Sequence, residues 1–269
     1  NIKEINMVRF GNGVKNIESS GKEGSFCGCS SLMSVLIPSS VTSIGSSAFS
    51  GCSLLTSILI PSSVTSIGSY AFFECSSLIN ISIPQSVTSI GSYIFYGCSS
   101  LTSVTIPESV TMIGSYSFYG CSALVNVSIP SSVIDIGPSS FCGCSSLEKI
   151  SIPSSVESIG SYAYSRCSSL KCVSFPSSVT SIDMRAFEEC ASLTSVSIPL
   201  SVKSIGSNAF DGCSSLTEVS IPKSINTNFV GIRKQAKVTF IWFILKKKYI
   251  DILKINKIKM KIFFSLQNI

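Results

Sequence analysis

Twelve cysteines are the residues best equipped for chemistry in this chain, and nine of them recur every 23 residues: Cys29, Cys52, Cys75, Cys98, Cys121, Cys144, Cys167, Cys190 and Cys213. Thiols at a fixed spacing can pair as disulfides, hold a metal or act as nucleophiles. Each possibility meets an obstacle. Equivalent positions on stacked coils are close enough for a disulfide by Cα distance, but their side chains point the same way, and nine cannot pair completely. No C-x-x-C pair occurs and the chain has no histidine, so zinc would lack its usual ligand set. The same absence excludes Ser-His-Asp and Cys-His catalysis within the chain. The acidic residues are scattered, and no glycine completes a phosphate-binding G-x-x-x-x-G-K-[ST] string. The column therefore reads as a ladder of reduced thiols acting as small hydrophobes, with no enzyme activity, cofactor or metal. Cys27 and Cys142 each form a C-x-C pair with the ladder. Cys172 falls on an outward position and is expected to be the most reactive thiol.

The elements that position this ladder follow from a second column. Nine prolines, from Pro38 and Pro61 to Pro222, keep the same 23-residue interval. A period of this size means one supersecondary unit, repeated and stacked. The unit reads C-x-x-L-x-x-[VI]-x-I-P-x-x-V-x-x-I-G-x-x-A-F-x-x. In Val35-Leu36-Ile37 the apolar residues alternate, which is the strand period. Pro38 ends the strand because it cannot donate to a ladder. Val41 and Ile44 turn the chain back, and Gly45 is expected to supply a backbone conformation that a side chain would resist. Residues 46–49 are too short for a true helix and read as one helical or 3₁₀ turn, with Phe49 plugging the coil. Parallel strands would line one face and these short turns the other. Nine or ten rungs at strand spacing give a body ~45 Å long.

These columns resemble the BspA-like class of leucine-rich repeat, as in Cys52-x-x-Leu55-x-x-Ile58-x-Ile60-Pro61-x-x-Val64-x-x-Ile67-Gly68-x-x-Ala71-Phe72. The resemblance covers about residues 1–225. It implies a leucine-rich-repeat solenoid and a cell-surface or extracellular protein that adheres to other cells or to matrix proteins. An intracellular protein–protein scaffold of the same fold, in the cytoplasm, is the alternative. Asp183 in place of the glycine, Tyr164 in place of the phenylalanine and the extra Pro138 depart from the pattern.

Residues 1–28 are a degenerate opening. Ile2, Ile5, Val8 and Phe10 match the repeat columns displaced by 27, so four extra residues fall within 18–25, and the chain is expected to begin inside a longer array with no signal peptide in view. Residues 29–225 are regular. Residues 226–269 form a basic and apolar tail without the repeat. It reads as sequence with no selected role, as a packing cap, or as a basic segment touching a membrane. The overall charge of +6 conceals a contrast: residues 1–225 carry 10 basic and 13 acidic side chains, whereas the tail carries 10 and one. The repeat body thus has no general attraction for nucleic acid.

Two surfaces could take a protein or glycan partner. One is the strand face, small and polar, with Thr56, Asn80, Ser82, Thr102, Thr105 and Asn126 pointing outward. Asn80 and Asn126 are also formal N-glycosylation acceptors. The other follows the glycine column, where three consecutive coils place aromatics three residues apart: Tyr70 and Phe73, Tyr93 and Tyr96, Tyr116 and Tyr119. On one turn such residues share a side, so stacking would align six rings. The alternatives are that serine merely fills the repeat and that the rings lie flat over the phenylalanine plugs.

Overall fold

The structure, a computed structural model, describes residues 4–17, 24–226, 230–232 and 235–240. Each 23-residue unit makes one coil of a stack of parallel rungs. The strand face is a parallel ladder in strict register. Ile81 lies beside Val104 and Ile150 beside Val173, each pair 23 residues apart. Near the N-terminus the offset is 27: Val8 pairs with Val35 and Ile17 with Ile44. It has returned to 23 at Phe26, which stacks on Phe49, so the four extra residues do lie between Ile17 and Phe26.

A second parallel ladder runs along another side, built from two-residue strands such as Ser43–Ile44, Ser66–Ile67, Met112–Ile113 and Asp135–Ile136. It joins Ile136, Ile159, Ile182 and Ile205 in sequence. Strands therefore form two sides of the coil where one was expected. Between the ladders, each proline carbonyl of the 23-residue column accepts from the amide three residues on, a valine in every coil from Pro38 to Pro199 and Ile225 after Pro222, as in Val41 N to Pro38 O at 3.0 Å. The serine just before that valine donates to the preceding coil: Ser63, Ser109 and Ser132 reach the carbonyls of Val41, Val87 and Val110 at 2.6 Å. These serines tie each coil to the one before it.

The third side corrects the expected helical turn. Residues 46–51 form successive turns without helix. Ser47 and Gly51 lie at φ of 56° and 71°, so the backbone alternates in hand. Every second amide bonds within its own coil (Ser50 N to Ser47 O, 3.1 Å), and the others bond along the axis (Phe49 N to Ala71 O, 2.8 Å). A helix would spend all its donors on its own chain; this arrangement stitches coil to coil. The glycine reading is corrected as well. The column of Gly68 has no left-handed φ. A Cβ on Gly68 would instead sit 2.4 Å from the Ser46 amide nitrogen of the previous coil, so glycine is needed for close approach. The left-handed glycines are those before the cysteines, such as Gly51.

Inside, Phe49, Phe72, Phe95 and Phe118 are fully buried. Their rings stack at 5.7, 5.6 and 5.4 Å and continue through Phe141, Tyr164 and Phe187 to Phe210. The cysteine column lies beside this file. From Cys52 to Cys213 each column thiol donates to the carbonyl of the phenylalanine column one coil back, as in Cys75 Sγ to Phe49 O at 3.1 Å and Cys98 Sγ to Phe72 O at 3.2 Å. Cysteine thus serves as a small hydrophobe with a weak donor. Beyond Ile225, Val230 is buried and Lys237–Phe240 adds a parallel rung on Glu218–Ile221. The remainder of the 226–269 segment lies outside the described residues, apart from 226, 230–232 and 235–236.

Candidate functional site

The turns of the third side carry the aromatic residues. At the position equivalent to Ser47 stand Tyr70, Tyr93 and Tyr116, with φ of 61°, 58° and 57°. Left-handed backbone is unusual for so large a side chain, and here the axial hydrogen bonds on either side hold it: Tyr70 N to Ser92 O and Tyr93 N to Ser115 O, 3.2 and 2.9 Å. Three residues on come Phe73, Tyr96 and Tyr119. The six rings form two parallel files. Tyr70, Tyr93 and Tyr116 stack at 4.7 Å per step, with planes within 8° of parallel. Phe73, Tyr96 and Tyr119 stack at 4.8 and 4.6 Å. Cross-file contacts of 5.7–6.0 Å tie the files together.

Two coplanar rings cannot approach so closely. The faces therefore overlap and the ring edges point outward, rather than lying flat over the core. Tyr70 is exposed and the other five are half-buried. The phenols of Tyr93 and Tyr96 are pushed above their ordinary value, first by lost hydration and then by neighbouring phenols, Tyr70 and Tyr116 for the former and Tyr119 for the latter. They stay neutral at physiological pH and offer hydroxyls as donors and acceptors.

The same file continues past an interruption. Ser139 takes the next place, then Tyr162 and Arg185, whose guanidinium sits 5.6 Å above the Tyr162 ring and donates to its hydroxyl at 3.2 Å. Reading only consecutive coils missed Tyr162, although its interval of 46 residues from Tyr116 is two repeats.

On the strand face, Thr56, Asn80, Ser82, Thr102, Thr105 and Asn126 are all exposed. Thr102 already donates its hydroxyl to the Ile79 carbonyl at 3.0 Å. The face is not uniformly polar. Its first rungs expose Met7, Leu36 and Leu59, the last by 75%, and a later rung carries the exposed pair Lys171–Glu148 at 3.0 Å. Among the described residues no group of three or more metal-ligating side chains comes together, and no helix is long and apolar enough to cross a membrane.

The repeat profile of the BspA type leucine rich repeat region, in six copies, matches residues 20–148 and 134–269. The chain belongs to the BspA-type leucine-rich-repeat family. A leucine rich cell surface protein of Faecalibacterium prausnitzii is 28% identical and superposes with a TM-score of 0.54, over 88% of this chain and 79% of that one. A leucine-rich repeat protein of Eubacterium ventriosum is 26% identical with a TM-score of 0.59, over 88% of this chain and 66% of that one. The pneumococcal vaccine antigen PcpA, at 21% identity, 87% and 73% coverage and a TM-score of 0.54, shares the fold. No curated protein matches the sequence.

Proposed function

We propose that this solenoid is a non-catalytic protein-binding module of a cell-surface adhesin, docking its partner through the aromatic files. The observation that carries this reading is six overlapping, outward-edged rings on a rigid backbone. Aromatic side chains combine large contact area with few rotors, and ordered stacks lose little further entropy on binding. Kinship with a leucine rich cell surface protein supports the location. The test is retention of beads coated with the chain on immobilised extracellular-matrix extract. Wild-type beads should be retained above albumin-coated ones, and replacing Tyr70, Tyr93 and Tyr96 together by serine should reduce retention about tenfold with the melting curve nearly unchanged. Equal retention of both coats, or of both variants, would remove the aromatic files from adhesion.

A cytoplasmic scaffold of the same fold is the second reading, favoured by the free thiols, which suit a reducing compartment. Labelling intact cells with a membrane-impermeant amine reagent separates the two.

A further inference from the structure

The file Tyr70, Tyr93, Tyr116, Ser139, Tyr162, Arg185 is a stack of planar side chains, four rings and a guanidinium, with one place, Ser139, that holds no planar group. The backbone there is unchanged. Ser139 has φ of 54°, against 57° at both Tyr116 and Tyr162. Its amide continues the axial ladder to Ser161 O at 2.8 Å, as Tyr116 does to Pro138 O at 3.0 Å. Only the side chain differs, and the difference opens a hollow of about 410 Å³ between the Tyr116 and Tyr162 walls. Ser139 and Cys142 lie at its floor, 5% and 6% exposed.

We propose that this slot binds a single planar aromatic side chain, tryptophan or tyrosine, presented by a protein partner; the proposal rests on the protein-binding reading above and names what the partner brings. Three features set the choice. First, the pitch fits one ring. Two coil steps separate the walls by roughly 9–10 Å. One inserted ring needs about 7–8 Å and two need about 11 Å or more, at ordinary carbon–carbon contact. A ring in the plane of the Ser139 coil would repeat the 4.7 Å spacing already present in the file. Second, both walls are aromatic. Tyr93 covers the far side of Tyr116, which leaves the other face of that ring toward the slot, and Tyr162 lines the opposite wall with Arg185 bonded to its hydroxyl at the rim. Third, the local charges are matched. Arg185 pairs with Glu188 at 3.5 Å and Arg166 with Glu189 at 3.3 Å, which favours a neutral ring over an anionic one. Serine hydroxyls at the floor can meet an indole N–H or a phenol.

The test uses N-acetyl-tryptophanamide and N-acetyl-tyrosinamide as probes, with methyl β-glucoside as the saccharide comparison, followed by backbone amide NMR of the full chain. Either aromatic probe should give saturable shifts at Ser139 and Cys142, larger than those at Ser47. Ser139→Tyr, a residue this backbone already accommodates at Tyr116 and Tyr162, should fold normally and abolish them. Should Ser139→Tyr fail to fold, Tyr116→Ser removes one wall and should weaken binding roughly five- to tenfold, about the worth of one aromatic pair. No saturable shift, shifts that persist in Ser139→Tyr or are unchanged in Tyr116→Ser, or a response to the glucoside alone would each overturn the proposal. Because Tyr70, Tyr93 and Tyr96 do not line the slot, wild-type beads retained above albumin-coated ones together with a failed probe titration would reject the slot alone, and wild-type beads retained no better than albumin-coated ones together with a successful titration would reject only the adhesin role.

Discussion

Alkaline pH should unfold this solenoid well before it reaches the ordinary range of lysine titration. The thiols of Cys52, Cys75, Cys98, Cys121, Cys144, Cys167 and Cys190 are all raised above the ordinary value of 9.0, those of Cys52 and Cys98 to about 12. Burial is the largest cause for the first six, and for Cys190 it is the hydrogen bond with Cys213. A raised folded-state value means that the folded chain keeps its protons while the unfolded chain loses them. The stabilising contribution is complete below about pH 8, where the unfolded thiols are still protonated, and is lost as pH rises through 9 toward the raised folded-state values. Each such thiol costs about 1.4 kcal/mol per pH unit once its unfolded form is ionised, so seven give a slope on the order of 10 kcal/mol per unit. Between pH 8 and 9.5 the integrated loss is roughly 6 kcal/mol, comparable with the whole stability of an ordinary domain. The assay is the urea midpoint by circular dichroism between pH 7 and 10, under reducing conditions. The midpoint should hold to about pH 8 and then fall steeply. A flat profile to pH 10 would refute the buried-thiol ladder.

Three further perturbations probe neighbouring parts of the stack. Phe95→Ala, at the centre of the phenylalanine file, should destabilise by about 3–5 kcal/mol; an unchanged melting profile would take that ring out of the core. Tyr164 is fully buried with a hydroxyl that finds no partner, so Tyr164→Phe should stabilise by about 1–3 kcal/mol, and a lower melting temperature would contradict this. Of the three cysteines outside the ladder, Cys172 is exposed whereas Cys27 is half-buried and Cys142 buried. Native labelling with a maleimide should modify Cys172 first, and Cys172→Ser should remove the fast phase; a fast phase that survived would place a second thiol at the surface.

The core was legible because a fixed period multiplies weak signals: Phe49 alone says little, but Phe49, Phe72 and Phe95 at one interval name a buried file. The family followed from the same columns. What stayed hidden is local. The two-residue strands such as Ser43–Ile44 are too short to show a strand period. The alternating hand at residues 46–51 could not be read from residue type, because tyrosine and serine occupy left-handed positions where glycine is expected. Gly68 was noticed for the wrong reason, since close approach of the neighbouring coil leaves no trace in sequence. The six-ring patch was visible, but the slot was not, because Ser139 breaks the file and Tyr162 only resumes it one coil later.

The in-register stack is tested most directly by ring-to-ring nuclear Overhauser contacts in protein with isotope-labelled phenylalanine. Cross-peaks should link Phe72 with Phe95 and Phe95 with Phe118, each 23 residues apart, and skip Phe72 with Phe118. Rings that show no mutual contacts, or that contact partners off the 23-residue interval, would contradict the stack and everything placed upon it.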